Sequence, residues 1–257
     1  MESMLGIIGG NGVAATNKLC SLIEEELTKK GAYRDAHHPE MIIWQATQAP
    51  SRSMYLEGRG PSWVEDYISI GKKLKDCGCD ELCMCCNTAH YAADELSSKI
   101  GIKFINILDL VVKKCLDLEV QKVGMMCSDG LRKTNLYDQR FKLHAPNIEL
   151  IYPDSEFQKI VTKGICNSKN NIRFSDPAIV PEHPYNCFKK VCEHLIKKQV
   201  DCIVAGCTDI CNVFTPPRTL HIIYIDSLVV LADYIVSNHI KHHSIQGERM
   251  NAQIYTR

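Results

Sequence analysis

Leu82-Cys83-Met84-Cys85-Cys86-Asn87-Thr88-Ala89-His90 and Cys202-Ile203-Val204-Ala205-Gly206-Cys207-Thr208-Asp209 are two versions of one local design. In each, a short apolar run ends near a cysteine, and a threonine follows at once or one position later. Apolar runs of roughly four to eight residues, bounded by polar residues or glycine, read as buried strands. A segment of helical spacing precedes each run: Val64, Tyr67, Ile68, Ile70 and Leu74 before the first, and Tyr185 to Lys198 before the second. Helix, strand and cysteine therefore recur in the same order.

The pattern extends outward from these two points. Gly6-Ile7-Ile8-Gly9-Gly10-Asn11-Gly12 reads as a buried strand running into a glycine turn, and Leu19, Leu22, Ile23 and Leu27 give helical spacing over residues 17–30. Met41 to Trp44 is a second strand, and residues 52–61, with Gly58, Gly60 and Pro61, read as a loop. Thr88 to Lys99 is predicted to be a helix, followed by a strand at Phe104 and a helix from Leu108 to Leu118. Further strands are expected at 122–126, 148–152, 202–205 and 221–225, and helices at 135–143, 154–164, 185–198 and 228–238. Residues 167–182 are polar, contain two prolines and read as a connection. The polar tail from Lys241 is expected to be mobile. Strands alternating with helices across short turns predict an α/β fold with a mainly parallel sheet covered on both faces.

The order of elements restarts near Lys122, which suggests a duplication. Aligned on Cys86 and Cys207, Asp80 falls on Asp201 and Leu82 on Ile203. Further on, the run from Ile105 to Val112 matches Ile223 to Val230 without a gap. Strand–helix units resemble one another in any case, so this short match does not prove a repeat.

The 257 residues suffice for one large domain or two half-size lobes, and the composition, 45% hydrophobic and 23% charged, is that of a globular protein. A formal net charge of zero argues against nucleic acid or an anionic membrane as the main partner. No stretch reaches the roughly 18 apolar residues of a membrane span, and the N-terminus lacks the basic region of a secretory signal. Fourteen cysteines in such a chain predict reduced thiols in a cytoplasm rather than a disulfide framework. Zinc is the competing reading for Cys77, Cys79, Cys83, Cys85 and Cys86. Those residues contain no Cys-x-x-Cys pair, and their alternation suits a strand and its approach; no metal site is expected.

In parallel sheets, ligands bind at the carboxyl ends of strands. Gly9 to Gly12, Cys86 to Thr88 and Cys207-Thr208 all lie at predicted strand ends and should gather at one crevice. Two thiols on opposite sides of a crevice can take a proton from a carbon on one face and return one on the other. The bland alternative is that both are small buried hydrophobes, a common state of free cysteine. A free thiol ionises near ~8.5, so each needs nearby donors to exist as thiolate. Asn87, Thr88, Thr208 and the start of the following helix offer them. His90 could serve as a base for Cys86, but its place one turn into a helix favours a supporting role. Gly10-x-Gly12-x-x-Ala15 fits a dinucleotide fingerprint loosely. The second strand ends Trp44-Gln45-Ala46-Thr47, without the acid that would hold a ribose, so a glycine-lined anion site is the preferred reading.

With these residues laid out, the chain resembles the PLP-independent aspartate/glutamate racemases over nearly its whole length. Gly6 to Thr16 looks like their glycine motif, Cys86-Asn87-Thr88-Ala89-His90 like their first cysteine motif, and Gly206-Cys207-Thr208-Asp209 like the second, where glutamate is commoner than Asp209. Pro50-Ser51-Arg52 resembles an arginine loop, Lys163-Gly164 a lysine-glycine pair, and Ser128-Asp129-Gly130 through Tyr137 a turn-and-helix motif. Asn11 stands where methionine is frequent, Val13 where proline is, and Leu131 where threonine is usual.

The resemblance implies two similar α/β lobes facing across a central crevice: residues 1–112 with 226–257, and residues 113–225. It implies a homodimer that needs no cofactor and racemises aspartate or glutamate with Cys86 and Cys207 as paired bases. Gly10, Asn11, Gly12, Asn87, Thr88 and Thr208 would hold the α-carboxylate. Arg52 and Lys163 would hold a second carboxylate, and His90 and Asp209 would support the cysteines. The alternatives are a dicarboxylate isomerase or decarboxylase of the same superfamily, or a non-catalytic amino-acid-binding protein.

Overall fold

The computed structural model describes residues 4–243. The tail beyond residue 243, expected to be mobile, lies outside the described residues. In chain order the elements are β1 (Leu5–Gly9), α1 (Val13–Lys29), β2 (Met41–Gln45), α2 (Arg52–Leu56), α3 (Val64–Asp76), β3 (Glu81–Met84), α4 (Ala93–Ile100), β4 (Lys103–Ile105) and α5 (Ile107–Asp117). There follow β5 (Lys122–Met126), α6 (Asp129–Lys133), α7 (Leu136–His144), β6 (Glu149–Ile151), α8 (Ser155–Asn167), α9 (Pro184–Lys197), β7 (Cys202–Ala205), β8 (Ile223–Asp226) and α10 (Ser227–His243).

The strands form two four-stranded parallel sheets with the same topology, β2-β1-β3-β4 and β6-β5-β7-β8. Alternation along the strands sorts the apolar side chains into layers. Cys83 and Cys85 face a core shared with α1, α5 and α10, whereas Leu82 and Met84 face α3 and α4. In the second sheet Cys202 and Val204 face that same shared core, and Ile203 and Ala205 face α8 and α9. One continuous core therefore runs between the sheets and joins the lobes. The last helix, α10, packs on α1 and α5.

The register corrects the predicted internal alignment. Cys83 pairs with Ile105, and its counterpart Val204 pairs with Ile225, so Ile105 corresponds to Ile225 rather than Ile223. The shift has a chemical basis. Asn106 accepts from the N–H of Leu108 at the start of α5, and Asp226 accepts from the N–H groups of Leu228 and Val229 at the start of α10. The matching features are these two caps, not the apolar run that follows them.

Several local expectations change. Residues 52–61 are not all loop: Ser51 accepts from the N–H of Met54 and caps the short helix α2. The predicted helix 88–99 begins as a 3₁₀ segment, Asn87–Ala92, before α4. The predicted helix at 135–143 is preceded by α6, which Ser128 caps. Helix α8 continues to Asn167, and α10 begins at Ser227 and runs on to His243.

Candidate active site

Cys86 lies two residues beyond the end of β3, and Cys207 two residues beyond the end of β7. The duplicated sheets thus deliver one thiol each to the same place. Both border a narrow cavity of ≈ 60 Å³ whose walls also include Asn11, Arg52, Thr88, Lys169 and Asp209. Four of these, Asn11, Arg52, Lys169 and Asp209, also line a wider opening beside it.

Hydrogen bonds, most of them between the two lobes, tie the cavity-lining residues together. Thr208 Oγ1 donates to the Cys85 carbonyl at 2.6 Å, and Thr88 Oγ1 and Ser128 Oγ lie 3.1 Å apart. The buried Asn87 amide donates to Ser227 Oγ at 2.9 Å and accepts from Tyr137 OH at 2.6 Å. Helix α2 packs on α6, where a Cβ on Gly130 would come within 3.1 Å of the Ser53 Cα, so the approach favours glycine.

The electrostatics differ around the two sulfurs. Burial raises the Cys207 thiol well above its ordinary range; Asp209 adds to this and Lys169 opposes it. Cys207 Sγ lies 3.9 Å from Asp209 Oδ2, and the same oxygen holds the Lys169 ammonium at 2.9 Å. Burial depresses the Lys169 ammonium, but Asp209 and Cys207 together lift it further, and the net direction is up. Gly12, at φ +143°, leaves space for Asp209, whose Oδ1 would stand 3.0 Å from a Cβ there.

Arg52 has one Nη1 hydrogen bond, to the Pro50 carbonyl at 3.0 Å, while its buried Nε has no partner among the described residues. The edge formed by Nε and Nη2 is therefore the one that can grip a carboxylate with two parallel bonds. Two thiols, one guanidinium edge and an ion pair on one cavity are groups that can bind a small anion and exchange protons with it.

The signature of the Asp/Glu/Hydantoin racemase family matches residues 6–235. The chain belongs to this family. It is an amino-acid racemase, an isomerase. It is 22% identical to the broad specificity amino-acid racemase RacX of Bacillus subtilis (strain 168), over 94% of this chain and 100% of that one. Its fold is similar to the Picrophilus torridus aspartate racemase, with a TM-score of 0.76, 25% identity, and coverage of 92% and 94% of the two chains. The glutamate racemase isoform RacE1 of Bacillus anthracis shares the fold at a TM-score of 0.65 and 18% identity, over 95% of this chain and 83% of that one.

Within this racemase, several residues expected to touch substrate are occupied otherwise. The Gly10 N–H donates to Thr16 Oγ1 at 3.0 Å, which removes it from a backbone anion site. Thr208 has used its only hydroxyl hydrogen on Cys85, and Asn87 uses its oxygen on Tyr137 and one of its two amide hydrogens on Ser227, which leaves one Nδ2–H. His90 is buried, and burial lowers its ring from the ordinary histidine value, against the backbone bonds to Cys86 and Ile105. Nδ1 faces the Cys86 carbonyl at 2.9 Å, which can only accept, so Nδ1 donates there; Nε2 lies 3.3 Å from both the Ile105 carbonyl and the Ile107 N–H. His90 thus holds the backbone of Cys86.

Lys163 is not among the residues that line the cavity. Because α8 continues past it, its ammonium lies on an exposed face and pairs with Glu182 at 3.3 Å. Lys169, after the end of that helix, is the lysine of the cavity. Sequence reading missed it inside the polar connection 167–182. It also missed Tyr67, which looks like one more apolar position of α3; its hydroxyl accepts from Asn11 and burial holds it up to about 12.

Proposed function

We propose that this racemase interconverts L- and D-aspartate or glutamate with Cys86 and Cys207 as its two bases. The observation that carries this reading is the pair of thiols on one cavity, each two residues past the end of the equivalent strand of its sheet. One sulfur, as thiolate, takes the α-proton and leaves the electron pair on Cα. The other, as thiol, gives its proton to the opposite face and becomes the thiolate. Charge and protons balance, and the reverse reaction exchanges the roles. Burial and Asp209 favour the protonated form of Cys207, and Lys169 opposes them. Arg52 takes a substrate carboxylate with its unoccupied edge, and Lys169 supplies the second cation.

The same reading assigns residues 1–112 with 226–257 to one lobe and 113–225 to the other. The packing of α10 on α1 and α5 supports the return of the chain to the first lobe. A homodimer in a reducing cytoplasm belongs to the proposal, and fourteen free cysteines fit it.

The test is a chiral assay over free amino acids in heavy water, with no pyridoxal phosphate added. Aspartate or glutamate should racemise, with deuterium at Cα of the recovered amino acid and no loss of carbon dioxide. Cys86→Ala and Cys207→Ala should each abolish racemisation while the protein stays folded. Equal turnover of alanine and aspartate would overturn the substrate assignment, and near-normal racemisation by either variant would overturn the two-base assignment.

A further inference from the structure

Asn11 is 2% exposed, lies in the turn between β1 and α1, and forms part of the cavity wall beside Arg52 and Cys86. Its Nδ2 donates to the Ile8 carbonyl at 3.1 Å and to Tyr67 OH at 3.0 Å. A carbonyl can only accept, so the bond to Ile8 fixes which end of the amide is nitrogen. Both amide hydrogens are thereby engaged. The carbonyl oxygen, Oδ1, is left buried with no partner among the described residues.

This reverses the role expected of Asn11. A side chain with no free donor cannot hold a carboxylate; it can only accept. The neighbouring atom without a partner is the opposite kind, the Nε donor of Arg52. Two of the five such buried side-chain atoms among the described residues thus belong to side chains lining this cavity, one acceptor and one donor. Buried polar atoms without partners are costly and uncommon, and at a binding site the ligand supplies what is missing. The complement of this pair is a ligand with an N–H group and a carboxylate a few bonds apart. Asp209 is the competing acceptor on the cavity wall, but its Oδ2 already holds Lys169.

We propose that Asn11 Oδ1 receives the α-ammonium of the substrate and selects amino acids over the corresponding dicarboxylic acids. This rests on the racemase reading above for the identity of the ligand. The ammonium makes a charge-assisted bond to an acceptor whose orientation Ile8 and Tyr67 fix before the ligand arrives. The burial that keeps the Tyr67 hydroxyl protonated leaves no negative charge behind the amide.

The experiment is calorimetric binding, which does not depend on turnover. L-aspartate and succinate differ only in the ammonium; L-glutamate and glutarate replace them if glutamate is the substrate found in the chiral assay. The wild-type protein should bind the amino acid at least about tenfold more tightly, although the diacid carries more negative charge toward Arg52 and Lys169. Affinities equal within about threefold would overturn the proposal without any variant. Asn11→Leu should bring L-aspartate down to the level of succinate and leave succinate unchanged. Asn11→Asp keeps an acceptor oxygen but loses the same amide donors, so it should restore the preference for the amino acid. If Asn11→Leu and Asn11→Asp weaken both ligands equally, the side chain acts only through Ile8 and Tyr67, and the proposal is wrong. If the wild type racemises no amino acid but still discriminates L-aspartate from succinate, the catalytic reading fails and the ammonium site stands.

Discussion

Replacing Asn87 by alanine should cost the fold far more than it costs substrate affinity. Asn87 joins three segments: it follows Cys86, donates to Ser227 at the start of α10, and accepts from Tyr137 on α7. Asn87, Ser227 and Tyr137 are all essentially inaccessible to water. Alanine would leave the Tyr137 hydroxyl without an acceptor and Ser227 Oγ without a donor. Each buried orphan costs about 1–3 kcal/mol, so the expected loss is about 2–6 kcal/mol. That is a large fraction of the roughly 5–15 kcal/mol that separates folded from unfolded protein. Urea unfolding at constant slope measures it directly. A double-mutant cycle with Tyr137→Phe should then give a coupling of about 1 kcal/mol or more, because Phe removes the group that alanine strands. If Asn87 were instead a donor to the substrate, Asn87→Ala would leave stability within about 0.5 kcal/mol and raise KM, and the cycle would show no coupling. That result would refute the assignment of Asn87 as a latch between the lobes.

The other expectations concern charge. In a Cys86→Ala background, Asp209→Asn removes a negative neighbour that raises the Cys207 thiol, so alkylation of Cys207 by iodoacetamide, followed by mass spectrometry, should reach half its limiting rate at lower pH; an unchanged or higher midpoint contradicts the electrostatics. Lys169→Met should lower kcat/KM for the dicarboxylic amino acid by about tenfold or more, whereas Lys163→Met, at an exposed ion pair, should stay within about twofold; the reverse ranking would return the cavity role to Lys163.

The fold was legible because apolar periodicity encodes it. Leu82 to Cys85 and Cys202 to Ala205 alternate between two cores as buried parallel strands do, and the strand ends gathered the two cysteines as expected. Legibility failed where side chains outside the periodic segment decide the local structure. Ser51 and Ser128 start short helices that carry no apolar stripe, so α2 and α6 read as loop or turn. The match of Ile105 to Ile223 followed apolar likeness, whereas the caps Asn106 and Asp226 mark the true correspondence, and caps are one residue long.

The site was legible by residue type and not by occupancy. Thr208, Asn87 and the Gly10 amide all have the capacity to bind a carboxylate, and a sequence shows only that capacity. Whether a donor is free depends on its partner in the fold: Cys85 is 123 residues from Thr208 and Ser227 is 140 from Asn87, while the Gly10 N–H is taken by Thr16 within its own turn. Cys85 lies in the other lobe from Thr208, whereas Ser227 comes from the far end of the chain where it returns to the lobe of Asn87. The donors nearest the cysteines are open to capture by partners that a reading of the sequence does not place beside them. Arg52 and Asn11 differ: Arg52 bonds to Pro50, and Asn11 to Ile8 and Tyr67, all in the first lobe, and each keeps one buried atom without a protein partner. Substrate recognition in this racemase should then depend most on side chains anchored by their own lobe. The side chains that bridge the lobes set instead how the two sulfurs face each other.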